Sequence, residues 1–247
     1  MNKAALKARS GTSRTGGMRK LSAAWIAASL MTLATSLGAA AEPRTLTAVM
    51  HSGVRVLDPV ITTAHITRNH AYMIYDTLLS IDEAFKPQPQ MASWEISSDG
   101  LIYTFTLRDG LKWHDGAAVT AEDCVASVKR WAKRDTGGQM MMDYTSSFEA
   151  VDAKTIVLKL KEPFPYVLEL LAKPSAVPAF MMPKRVAETP PDKAITDTIG
   201  SGPFKFVTAE YQPGVKVVYE KNPDYKPRSE PASALAGGKV VKIDRRF

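Results

Sequence analysis

Between Trp94 and Leu107 the chain alternates apolar and polar residues on either side of a short polar break, and this stretch constrains the fold more than any other. Tyr103, Phe105 and Leu107 interleave with Thr104 and Thr106, so at a strand's period of two they make one apolar face and one half-polar face. Ser97-Ser98-Asp99-Gly100 separates this run from Trp94-Glu95-Ile96 and has the composition of a tight connection. The spacing predicts a hairpin, with further turns at Arg108-Asp109-Gly110 and His114-Asp115-Gly116. A sheet with one apolar face needs a covering layer. The segment after Thr120 can supply it: a hydroxyl at the N-cap, Glu122 and Asp123 in the first turn, and Val125, Val128 and Trp131 as an apolar stripe. Lys129, Arg130, Lys133 and Arg134 collect near the carboxyl end, where the helix dipole favours cations, and read as a solvated helix end that stops at Gly137-Gly138.

Around this centre the other elements are shorter. Thr45 to Met50 reads as a first strand, and His65 to Leu79 places Ile66, Met73, Ile74 and Leu78 at helical spacing, as a helix packed on that strand. Thr155 to Leu160 alternates as a strand, and Glu162-Pro163-Phe164-Pro165 breaks it before a short apolar helix around Tyr166 to Leu171. Pro174, Pro178 and Pro183 keep the following segment extended or turning. Phe204 to Thr208 and Val215 to Tyr219 form a last hairpin through Gln212-Pro213-Gly214, and from Asn222 onward the composition is that of a loop. Strands outnumber long helices, so the fold class is mixed α/β or α+β.

Charge points to export. The whole chain carries 32 Lys and Arg against 25 Asp and Glu, a formal +7. Lys3, Lys7, Arg9, Arg14, Arg19 and Lys20 precede an apolar stretch from Ala23 to Leu33 and then Ala39-Ala40-Ala41, with no acidic residue before position 42. That is the layout of a secretory signal peptide cleaved after Ala41, and the apolar core is shorter than the roughly 20 residues that span a bilayer. No Cys follows it for lipid attachment, and no Arg-Arg pair marks twin-arginine export. Removing the six cations leaves 26 positive against 25 negative residues, which takes away the electrostatic case for nucleic acid. A single cysteine, Cys124, excludes an intramolecular disulfide and a Cys-rich zinc site. The expected compartment is a bacterial periplasm.

The motif search yields no catalytic residue, no metal site and no cofactor. Gly200-Ser201-Gly202 lacks the spacing of a nucleophile elbow, and Gly237-Gly238-Lys239 is followed by Val240 where a phosphate loop needs Ser or Thr. His65 and His70 are five apart, about 140° around a helix, and cannot jointly grip a metal. All four histidines are assigned surface or structural roles, Cys124 a buried inert thiol, and Met140-Met141-Met142 core or loop packing.

One resemblance carries function. The run from Met91 to Gly116, with Trp94-Glu95-Ile96, Ser97-Ser98-Asp99-Gly100, Tyr103-Thr104-Phe105, Leu107-Arg108-Asp109-Gly110 and Trp113-His114-Asp115-Gly116, closely resembles the signature of the family 5 bacterial extracellular solute-binding proteins. Leu57-Asp58-Pro59, Tyr75-Asp76-Thr77-Leu78-Leu79, Thr120-Ala121-Glu122-Asp123, Gly200-Ser201-Gly202-Pro203-Phe204 and Asn222-Pro223-Asp224-Tyr225 follow in the family's order. The resemblance implies the peptide, dipeptide or nickel receptor of an ABC importer: a two-lobed periplasmic binding protein of type II that closes like a Venus flytrap on its ligand and works as a monomer with an inner-membrane permease. Members are much longer, so residues 42 to 247 are expected to be a truncated first lobe, with the second lobe and most ligand anchors beyond Phe247. On the matching positions, Thr63, Ala64 and His65 are expected to line the cleft, with Ser175 and Ala176 approaching it, while Gly200, Gly202 and Pro203 serve backbone geometry. The alternative is a half-lobe kept as an interaction or chaperone-like module.

Overall fold

The strand read from Tyr103, Phe105 and Leu107 sits inside a four-stranded antiparallel sheet. The computed structural model describes residues 44–246, part of a compact unit spanning 43–247; the export segment and cleavage point expected within 1–41 lie outside the described residues. In chain order the elements are β1 (Thr45–Leu46), α1 (His65–Ile74), β2 (Leu79–Ile81), β3 (Pro87–Pro89), β4 (Ala92–Ile96), β5 (Ile102–Leu107), α2 (Ala121–Ala132), α3 (Thr136–Asp143), β6 (Thr145–Ala150), β7 (Thr155–Leu160), α4 (Val167–Ala172), α5 (Lys184–Ala187), β8 (Phe204–Phe206), β9 (Tyr219–Lys221) and β10 (Arg245–Arg246).

The central sheet runs β4-β5-β7-β6, with Trp94 opposite Phe105, Phe105 opposite Ile156, and Leu158 between Tyr103 and Phe148. Its apolar face is buried under α2, whose Cys124, Val128 and Trp131 are fully enclosed. Each such side chain contributes about 1.5–3 kcal/mol of burial. Thr120 caps α2 as the sequence predicts, and the Asp123 carboxylate accepts a return bond from the Thr120 amide that completes a reciprocal capping box. Asp123 also accepts hydrogen bonds from Trp113 Nε1 at 3.2 Å and from the Lys184 amide at 2.7 Å, so one carboxylate joins the turn before α2 to the start of α5.

Several expectations are corrected. The helix end at Gly137-Gly138 is instead inside α3, because the Asp135 carboxylate caps a new helix by accepting from the Gly138 amide at 3.0 Å. A Cβ on Gly138 would lie 2.7 Å from Ala132 Cα and 2.9 Å from the Trp131 ring, so glycine permits a close crossing of α2 and α3 rather than ending a helix. The helix expected over His65 to Leu79 closes at Ile74, since Tyr75 turns extended and Leu79 enters β2. Strand β1 is two residues long rather than running to Met50, and α1 packs on β8, at the far edge of the sheet ordered β1-β10-β9-β8. Strand β10 lies in the stretch after Asn222 read as a loop, and β6 and the small β2-β3 sheet had no signal in the sequence.

Arg130 overturns the reading of a wholly solvated basic cluster. Its guanidinium forks onto Asp58, Nη2 to Oδ2 at 2.7 Å and Nη1 to Oδ1 at 3.2 Å, with the two side chains 2% and 0% exposed. Asp58 further accepts from the Val60 and Ile195 amides, and Arg130 donates to the Thr189 and Lys193 carbonyls. Charges can stay buried only when paired and hydrogen-bonded, and here both are.

Replacing one partner alone would strand the other. We expect Arg130→Met to lower stability by about 3–5 kcal/mol, and the double change with Asp58→Leu to recover most of that loss, as read by urea unfolding. A loss below about 1 kcal/mol for the single variant, the range of exposed pairs, would contradict the buried fork.

Candidate functional site

The five residues assigned to the cleft fall on two neighbouring surface segments. Thr63, Ala64 and His65 are exposed at the amino end of α1, where Ala64 is the N-cap and offers no side-chain oxygen to the helix. Ser175 and Ala176 are exposed in the loop after α4, with Ala176 at φ 55°, a left-handed conformation uncommon for a residue with a Cβ. That loop is fixed from behind by Trp131, whose Nε1 donates to the Val177 carbonyl at 2.6 Å.

What brings the two segments together is a residue the sequence reading missed. Tyr72 lies seven positions after His65, two helical turns along the same face, and its hydroxyl donates to the Pro174 carbonyl at 3.3 Å. Its ring meets Phe180 edge-on at 4.8 Å, and burial, opposed by nearby Arg68, pushes its hydroxyl well above the ordinary tyrosine value. Between His65 and Tyr72 on this strip stands Arg68, half-buried, whose Nη2 meets His65 Nδ1 at 2.9 Å. Helical spacing from His65 was the available signal for both residues. No hydrogen bond among the described residues links Thr63, Ala64 or His65 directly to Ser175 or Ala176; the connection runs through Tyr72.

Behind the strip, the sequence landmarks interlock. Asp76, 1% exposed, accepts from Lys239 Nζ at 2.8 Å, the Tyr225 hydroxyl at 3.1 Å and Gln90 Nε2 at 3.2 Å. The 200–203 segment docks on the end of α1: a Cβ on Gly200 would lie 1.9 Å from the Ile74 carbonyl oxygen, and the Gly202 amide donates to that oxygen at 2.9 Å. Close backbone approach, rather than a positive φ, is what requires glycine there. His114 secures the same segment. The Gly200 amide donates to its Nδ1 at 3.3 Å, which assigns the proton to Nε2, and Nε2 donates to the Gly202 carbonyl at 3.2 Å. Asn222 Nδ2 reaches the Gly202 carbonyl as well, at 3.0 Å.

Two concavities lie elsewhere. One of about 640 Å³ sits between the 47–54 segment, α1 residues such as Ile66 and His70, and Val217; the other, about 740 Å³, lies beside α2. Neither is lined by the five assigned residues, which occupy open surface. Cys124 is buried, and burial pushes its thiol well above the ordinary range, as the assignment of an inert thiol requires. Met141 is buried in the core, whereas Met140 is exposed.

The family described as "Bacterial extracellular solute-binding proteins, family 5 Middle" matches residues 86–245. The chain belongs to this family. A "Probable peptide ABC transporter periplasmic-binding protein" of Sinorhizobium fredii is 44% identical over 224 residues, 90% of this chain and 41% of that protein. Among solved structures, the binding protein MoaA of Agrobacterium tumefaciens R10, in complex with mannopinic acid, is 29% identical with a TM-score of 0.65, covering 83% of this chain and 40% of that one. Haemophilus influenzae OppA in complex with the peptide RPPGFSPFR, 24% identical with a TM-score of 0.62 over 83% of this chain and 41% of its own, shares the fold. The mixed α/β fold is thus that of periplasmic binding proteins, and the chain spans about two fifths of the length of these relatives.

Two buried imidazoles give a pH dependence. Burial lowers His70, whose Nδ1 meets the Tyr219 hydroxyl at 2.8 Å, from 6.5 to about 4. Burial likewise brings His114 to about 4, with its bond to Gly202 opposing and Lys205 reinforcing the shift. Because the unfolded chain takes up these protons first, the contribution of the two histidines to stability is level above about pH 6.5 and is lost as pH drops toward 4, by up to about 1.4 kcal/mol per pH unit for each. Urea titrations should show a shallower decline between about pH 6 and 4 in His70→Phe; an unchanged slope would remove His70 from this account.

Proposed function

We propose that this chain is the substrate-binding component of an ABC importer, taking peptides or related small solutes in the periplasm and delivering them to a permease. In this reading residues 1–41 are the export signal, and residues 42–247 are one lobe of a two-lobed, monomeric receptor. Thr63, Ala64, His65, Ser175 and Ala176, joined through Tyr72 and Pro174, present part of the wall that meets the ligand. The observation that carries the proposal is the exposed strip at the amino end of α1, held rigidly by landmarks whose order is that of the family. It is supported by the Sinorhizobium relative named for peptides and by the MoaA complex with mannopinic acid. A binding role needs a pre-formed wall rather than a nucleophile, and the proposal assigns no catalysis to the chain.

Native mass spectrometry of the full-length gene product with a pool of di- to pentapeptides, and separately with mannopinic acid, tests this. One specific adduct is expected, weakened at least tenfold by Ala64→Trp or Ala176→Trp with the melting temperature preserved. An absence of any adduct would overturn the proposal; binding unaffected by both variants would remove these positions from the wall.

A further inference from the structure

Arg68 carries a charge that no carboxylate among the described residues answers. Arg55, Arg108 and Arg134 likewise form no ion pair with a carboxylate among the described residues, but Arg68 is the one of these four set on the strip beside Thr63, Ala64 and His65, where one of its nitrogens meets the His65 ring. A guanidinium holds five N–H donors in a rigid plane that matches a carboxylate with two parallel bonds. Here one donor is engaged by His65 Nδ1 at 2.9 Å, which fixes the plane while leaving the rest of the fork unengaged. Arg68 is also half-buried on the strip between His65 and Tyr72, three residues from one and four from the other, and Tyr72 is anchored to Pro174 beside Ser175 and Ala176. The first turn of α1 contains no acidic residue to compete for that charge, and its cap makes no side-chain hydrogen bond. The guanidinium's planar fork suits bidentate recognition of a carboxylate, and a fixed, partly desolvated one has donors free to receive it.

We propose that Arg68, oriented by His65, receives a carboxylate of the bound solute and makes the receptor select acids over their neutral analogues. The proposal rests on the reading of α1 and the 174–176 loop as ligand-facing, and it adds the chemical class of the group recognised there.

The test uses the full-length gene product and two matched probes, a tripeptide pool with free C-terminal carboxylates and the same pool as C-terminal amides, compared by calorimetry. The wild-type protein is expected to bind the acid pool at least tenfold more tightly than the amide pool. Arg68→Gln should weaken acid binding at least tenfold and abolish the difference between pools, and Arg68→Lys, which keeps charge but not the fork, should fall between. Both variants should melt with the wild type, since the side chain makes no bond to the core. Equal affinity of the wild type for both pools, or discrimination that survives in Arg68→Gln, overturns this assignment and leaves the solute-binding reading intact. Failure of the wild type to bind either pool or mannopinic acid overturns the ligand-facing reading and this assignment together.

Discussion

The buried fork between Asp58 and Arg130 is the constraint on which the arrangement around α1 depends. The two residues are separated by 72 positions, and the pair is enclosed with four further hydrogen bonds to the 60, 189, 193 and 195 backbone. Desolvating two charges consumes most of what their attraction returns, so such a pair adds little net stability compared with apolar residues of similar size. What it imposes is position. Only one placement of the loop after β1 satisfies the Asp58 oxygens, and that placement sets where Thr63, Ala64 and His65 emerge at the start of α1.

The residues that make the family recognisable are mostly frame. Asp58, Asp76, Asp123, His114, Gly200, Gly202 and Asn222 spend their polar groups or their missing side chains on one another and on backbone. The surface they support is formed by residues of quite different type, Thr63, His65, Arg68 and Ser175 among them. A scaffold of this kind separates two tasks: the interlocked carboxylates and glycines hold geometry, while the exposed strip can change its side chains without disturbing them.

The sequence was legible where the determining contacts are local. The hairpin of β4 and β5, the capping box at Thr120 and the whole of β7 follow from periods and turns within a dozen residues. Legibility failed where a distant partner decides. Gly137 and Gly138 look like a stop until Asp135 and the crossing of Trp131 are known, and Arg130 looks like solvent charge until Asp58 is placed beside it. The same holds for the proposed ligand wall. The amino end of α1 could be named from the resemblance, but Arg68 and Tyr72 become visible only once the helix face is tied to Pro174.

The parallel pairing of β1 with β10 sets a timetable. Thr45 pairs with Arg245, so the sheet that includes the start of the described chain cannot close until nearly all of it has been made, whereas β4, β5, β6 and β7 are supplied within some 70 residues of one another. Loop closure over such a span is slow compared with hairpin formation. During synthesis the leading segment therefore stays unsheeted while the centre can already fold. The strand at the start of the described chain is thus the last to find its partner, and the four central strands can pair without it.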